Sequence, residues 1–206
     1  MKHDRRGPSR RSIRLKGYDY SRPGAYFVTI VTKHMACLFG EVIDGRMRTN
    51  VLGEIVGEEW LRSAGIREEI ELFADEFVVM PNHVHGIVRI VPTAQAIGRV
   101  GVRATGRGVR ATGRSPVPRG PAPSSLGSFI AGFKCAATRR INALRGTPGA
   151  AVWHRNYYEH IIRDDESMCR IRQYIANNPI RWTVDRTNAS RRCGWGRTPG
   201  QGQSTA

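Results

Sequence analysis

The 206-residue chain contains no run approaching 18 consecutive apolar residues, so no stretch of it is long enough to read as a membrane span. Its first residues, MKHDRRGPSRRSIRLKG, are basic but lack the apolar stretch of a signal peptide. Cysteine is scarce: Cys37, Cys135, Cys169 and Cys193 are scattered with no CxxC spacing. That pattern argues against a zinc knuckle or a disulfide framework and points to a reducing cytoplasm. No glycine-rich Walker-type phosphate loop is present. Acidic residues are also few, 17 Asp+Glu against 33 Lys+Arg, which leaves a formal charge of +16.

That charge is unevenly laid out. Residues 1–22 hold eight bases and two acids, residues 98–120 six arginines and no acid, and residues 181–206 five bases and one acid. These three segments carry the whole excess, and the rest of the chain is neutral in sum. Basic extensions around a charge-balanced core suit a polyanion partner, because counterion release drives such association.

The organisation follows from periodicity and turn signals. Residues 1–22 read as a basic N-terminal arm, residues 23–182 as one domain, and residues 183–206 as a flexible basic tail. AYFVTIVTK (25–33) has the aromatic and β-branched content of a buried strand. Asp44-Gly45 between short apolar pairs is a hairpin signal. Val51, Ile55, Val56, Trp60 and Leu61 fall at helical spacing, with Asn50 placed to cap the helix and Gly65 to stop it. IELFADEFVVM (70–80) and HVHGIVRI (83–90), separated by Pro81-Asn82, read as an antiparallel hairpin.

Residues 91–123 differ in kind. GVRATGR stands at 101–107 and again at 108–114, followed by SPVPRGPAP. So little apolar content cannot bury a core, and the segment reads as a disordered surface insert. A second helix starts near Ser124-Ser125 with Leu126, Phe129, Ile130, Phe133 and Ile141 on its apolar side. A third, capped near Asp164, must end before Pro179. The order strand, hairpin, helix, strand, strand, insert, helix, helix fits an α+β fold: an antiparallel sheet with helices on one face, in a ferredoxin-like (RRM-like) arrangement.

Two features carry chemistry. Side chains two apart on a strand share a face, so His83 and His85 converge while Val84 points the other way. Converging neutral imidazoles suit a divalent metal; two half-exposed strand histidines are the plain alternative. Tyr174 and Asn178, four apart, share a helical face that Ile171 and Ile175 would anchor to the sheet. That pair reads either as a nucleophile with a further metal ligand, or as a boundary tyrosine with an asparagine closing the helix.

RLKGYDYSRPGAYFVT (14–29), MPNHVHG (80–86), FIAGFK (129–134), WHRNYYEHIIR (153–163) and YIANNP (174–179) together resemble the single-tyrosine HUH transposases, most closely the REP-associated tyrosine transposase branch. The resemblance covers roughly residues 11–182 apart from the insert. It implies a nuclease fold that cuts and rejoins single-stranded DNA at or near hairpins through a covalent 5′-phosphotyrosine. His83 and His85 match the HUH pair, and Tyr174 the tyrosine nucleophile. Asn178 stands where insertion-sequence relatives carry a glutamine, one methylene longer, which leaves its role as a third ligand open. The implied cofactor is Mg2+ or Mn2+, and two imidazoles suit Mn2+ better.

Tyr158, beside Tyr157, is the rival nucleophile. His160 reads as structural before ligand or general acid, and Trp153 as core before base platform. Arg10, Arg11, Arg14 and Lys16 on the arm, with Lys134, Arg139 and Arg140 on the second helix, are the expected DNA contacts. The expected partner is hairpin-bearing single-stranded DNA, for a monomer or homodimer in the cytoplasm, associated with the nucleoid. The competing class is a non-catalytic RRM-like module that binds single strands, for which the sheet face should offer exposed aromatics. A third, a metallohydrolase, would release product without an adduct.

Overall fold

A computed structural model describes Leu15, residues 17–93 and residues 121–182. Most of the N-terminal arm, most of the insert and the tail lie outside the described residues. No helix among those described is long and apolar enough to cross a membrane.

The domain is a five-stranded antiparallel sheet. Its strands are β1 (Gly24–Val31), β4 (Ile70–Glu71), β5 (Phe77–Met80), β6 (His83–Ile90) and β7 (Tyr158–Ile162). Strands β4 and β5 pair with opposite ends of β6, so they make one interrupted edge, and the sheet runs β4/β5–β6–β1–β7. With helices α1 (Val51–Ile66) and α2 (Leu126–Arg145) as crossovers, this is the ferredoxin-like order expected from the sequence. A separate hairpin joins β2 (Gly40–Ile43) to β3 (Arg46–Thr49) through Asp44 and Gly45, both at positive φ as the tight turn requires.

The anticipated caps at Asn50 and Asp164 are in place, and the second helix starts where expected, at Ser125. Asn50 Oδ1 accepts from the Leu52 and Gly53 N–H groups, Ser125 forms a capping box with Ser128, and Asp164 accepts from Ser167 N. Gly65 does not stop α1, which continues to Ile66. The run 70–80 is also not one strand: a 3-10 turn at Ala74–Glu76 divides it.

The element order expected from the sequence lacks β7. Its five residues carry Glu159 and His160 and lack a flanking turn signal, so only pairing with β1 makes the strand recognisable.

The sheet separates two layers. Tyr26, Val28 and Ile30 of β1, with Val84, Val88 and Ile90 of β6, face α1 and α2 and form the main core. Trp60 is its centre, stacked on Phe77 at 4.6 Å and edge-on to Phe129 and Phe133 at 5.3 and 5.2 Å. Gly86 is required there, since a Cβ would lie 2.5 Å from the Trp60 ring. The expectation of helices on one face holds for α1 and α2. Helix α3 (Asp165–Ala176) lies on the other face, where Ile175, Ile171 and Met168 pack on Phe27, Ile87 and Ile162.

An ionic contact supplements this small apolar patch. Glu76, 1% exposed, accepts from Arg89 of β6 and from Arg172 of α3, the latter at 2.7 Å. Burial pushes its carboxyl up, but the two guanidinium hydrogen bonds more than offset this, and the net displacement is downward. The helix then ends at Ala176, and Asn178 begins a separate short turn, α4 (Asn178–Arg181), with Pro179 in its first positions.

Candidate active site

Strand alternation brings His83, His85, Ile87 and Arg89 to the α3 face of β6 and sends Val84 into the core. The register sets His85 opposite Thr29, and Thr29 opposite Tyr158, in one cross-strand row. Both imidazoles are buried, and their Nε2 atoms lie 2.9 Å apart.

Each ring is held from behind. Asn82 donates its amide N–H to the Met35 carbonyl at 3.1 Å, so its Oδ1 is left to accept from His83 Nδ1 at 2.8 Å. That bond puts the proton on Nδ1 and the lone pair on Nε2. Thr29 Oγ1 sits 2.8 Å from His85 Nδ1 and can fix the same tautomer. The turn that presents the Met35 carbonyl has two non-glycine residues in the left-handed region, His34 (φ 60°) and Met35 (φ 57°).

Burial first, and the neighbouring His83 second, hold His85 well below the usual imidazole range, so it is neutral at physiological pH. Two Nε2 lone pairs cannot face each other at this distance without a proton or a cation between them. The donor set therefore fits a divalent cation gripped by two imidazoles. Among the described residues, no group of three or more His, Cys, Asp or Glu side chains adds a closed cage. Such a cation would keep positions open for substrate oxygen.

From the opposite layer, α3 brings Tyr174. Its hydroxyl lies 3.3 Å from His85 Nε2, although 89 positions separate the two residues. Phe27 is the shared floor: His85 stacks on it at 5.4 Å, and Tyr174 meets it edge-on at 5.9 Å. Trp182 closes the His83 side at 5.9 Å. Asn178 is buried, but at the start of α4 rather than on the helix of Tyr174, so the shared helical face expected from their spacing is interrupted.

The rival tyrosines separate as neighbours on an extended segment should. Tyr157 packs on the main core, and Tyr158 is 47% exposed on the imidazole face. His160 is exposed beside it, opposite Phe27. Trp153 is a core residue against Phe39 and Phe133.

Of the basic residues expected on α2 to meet DNA, Lys134 and Arg140 make contacts within the fold. Lys134 donates to the carbonyls of His154, Arg155 and Asn156 at 2.9, 3.3 and 3.2 Å, and burial lowers its pKa to about 8. Arg140 ties α2 to α1 through Glu58 and Glu59 at 2.6 and 2.8 Å. Arg139 is exposed, yet α2 is in the layer behind the sheet. Helical spacing shows that these bases leave the apolar side; it does not show which partner they meet. Arg10, Arg11, Arg14 and Lys16 lie outside the described residues. Replacing Lys134 by Met should cost about 1 kcal/mol in urea unfolding through the lost carbonyl bonds, with hairpin affinity at fixed salt unchanged.

Sequence reasoning missed Thr29, Asn82 and Phe27 as supports. Thr29 left one signal, a lone hydroxyl in the middle of an apolar strand. Asn82 left another, its place beside His83 in a tight turn.

No protein-family model matches the chain. A curated Haemophilus influenzae protein of uncharacterised function is 41% identical over 176 residues, covering 85% of this chain and 91% of the relative. Among solved structures, a REP-associated tyrosine transposase bound to a REP hairpin superposes with a TM-score of 0.50 at 16% identity, covering 94% of each chain. A candidate transposase from Deinococcus radiodurans gives a TM-score of 0.34 at 20% identity, covering 80% of this chain and 95% of that one, too loose a likeness to add to the fold.

Proposed function

We propose that this chain, which belongs to one family with the Haemophilus influenzae protein and has the fold of a REP-associated tyrosine transposase, is itself a single-tyrosine HUH transposase. It would cleave and rejoin single-stranded DNA at or near hairpins. The observation that carries the reading is the meeting of three groups from two elements, strand β6 and helix α3: His83 Nε2 and His85 Nε2 at 2.9 Å, and the Tyr174 hydroxyl 3.3 Å from His85.

His83 and His85 would hold Mg2+ or Mn2+, with Asn178 as a candidate third ligand; two nitrogen donors favour Mn2+. When bound, the ion supplies positive charge for the oxygens of the scissile phosphate. Asn82 and Thr29 keep both ring nitrogens aimed at the site. Tyr174 attacks phosphorus: the Oη–P bond forms as the P–O3′ bond breaks, the phenol loses its proton and the leaving 3′ oxygen gains one. The product is a 5′-phosphotyrosine and a free 3′-hydroxyl. One phosphoester replaces another, so a 3′-hydroxyl can reverse the step without nucleotide hydrolysis.

The test is incubation with Mn2+ and labelled hairpin oligonucleotides bearing single-stranded flanks, followed by denaturing electrophoresis. A covalent protein–DNA band is the expected result. Retention without a band, across hairpins drawn from DNA flanking the gene, would replace this reading with the non-catalytic module. Free cleaved product without a band would replace it with the hydrolase.

A further inference from the structure

Beside Tyr174 the imidazole face is open. Between β7 and one face of α3 lies a hollow of about 370 Å³, with Phe27 at its floor, Tyr158 and His160 on the strand side, and Arg170, Ile171 and Tyr174 on the helix side. Its floor is buried, but both aromatic walls face solvent: Tyr158 is 47% exposed and Tyr174 38%. Tyr158 meets the floor ring edge-on at 6.4 Å. Strand β7 is the sheet's outer strand, so the hollow can be entered from the side.

We propose that this hollow receives the unpaired nucleobase next to the phosphate attacked by Tyr174, with Tyr158 as its stacking platform. The inference rests on the transposase reading for the phosphate's position. The hollow then adds what a strand needs there. It lies at the small end of the range for ligand pockets, matching one ring system rather than a paired duplex. It shares Tyr174 as a wall with the reacting centre, which puts it within reach of the nucleotide bonded to the scissile phosphate. The exposed Tyr158 ring offers a sequence-tolerant π-face. Arg170 at the helix side, paired only at the surface with Glu166, brings positive charge to the entry. Tyr158 therefore contributes its ring and not its hydroxyl.

The closing experiment uses the full chain carrying Tyr174→Phe, which binds without cutting, and a hairpin whose flank carries one abasic nucleotide moved position by position. One position should weaken binding about 5- to 150-fold. Tyr158→Ala should reproduce that loss on intact DNA and add nothing further on the abasic strand, whereas Tyr158→Phe should bind like the parent. 2-Aminopurine at the same position should be quenched by the parent and not by Tyr158→Ala. A flat abasic scan, or a Tyr158→Ala loss that simply adds to the abasic loss, overturns the hollow. Adduct formation by the unaltered chain is measured in parallel. A band with a flat scan overturns the hollow alone, and no band on any substrate overturns the reaction on which it rests.

Discussion

Tyr174→Phe should eliminate the covalent protein–DNA adduct while leaving the fold and hairpin binding intact. The phenyl ring keeps its edge contact with Phe27 and its place beside His85. Only the hydroxyl is lost, and with 38% of the side chain exposed its removal leaves no buried cavity. Deleting the nucleophile of a covalent mechanism costs on the order of 10⁴- to 10⁶-fold in rate, so the band should fall below detection under Mn2+. Tyr158→Phe should retain it. The opposite pattern, an adduct that survives Tyr174→Phe and vanishes with Tyr158→Phe, would move the chemistry to β7.

The second large effect belongs to Glu76. It is buried between Arg89 of the sheet and Arg172 of α3, two positions before the tyrosine. Glu76→Gln removes the buried counter-charge that both guanidinium groups share, leaving Arg89 only the more distant, exposed Glu71 and Asp75. Removing one partner of a buried pair costs about 3–5 kcal/mol. Arg172 is half-exposed and Arg89 partly so, which lets water solvate them and reduces the expected loss to about 2 kcal/mol. Thermal unfolding should report it as a lower Tm. Because the contact docks α3, adduct formation should fall more than hairpin affinity; equal falls would mark Glu76 as merely structural.

The pH dependence has a defined sign. Arg89 and Arg172 hold the folded carboxyl below its ordinary 4.5, so its contribution is complete above the unfolded value and is lost as pH falls through the folded one. Glu76→Gln should flatten that acid limb of a stability–pH profile.

The imidazole pair was legible because strand alternation is a strict rule: two residues apart means one face, and Val84 duly enters the core. The caps at Asn50 and Asp164 were legible for the same kind of reason, since each is a bond between neighbours in sequence. Glu76 was not. Its partners stand 13 and 96 positions away, and a carboxylate in a strand-like run looks like any solvated acid. Strand β7 escaped because its polar residues conceal a pattern that only β1 completes. The contacts of Lys134 and Arg140 within the fold were hidden because a charge off the apolar stripe is equally suited to a phosphate, a carbonyl or a glutamate.

The two layers differ greatly in what they contribute to folding. Trp60, Phe129, Phe133 and the aliphatic residues around them fill one side of the sheet, while the buried apolar cluster on the other side is small: Phe27, Ile87, Ile162 and Ile175, with Trp182 beside His83. Exposed residues such as Tyr158 and Arg170 can therefore be exchanged at small thermodynamic expense. Where the stability margin resides elsewhere, mutation can explore new partners before it reaches the folding threshold. A scaffold partitioned in this way is free to diversify its targets while its chemistry stays fixed.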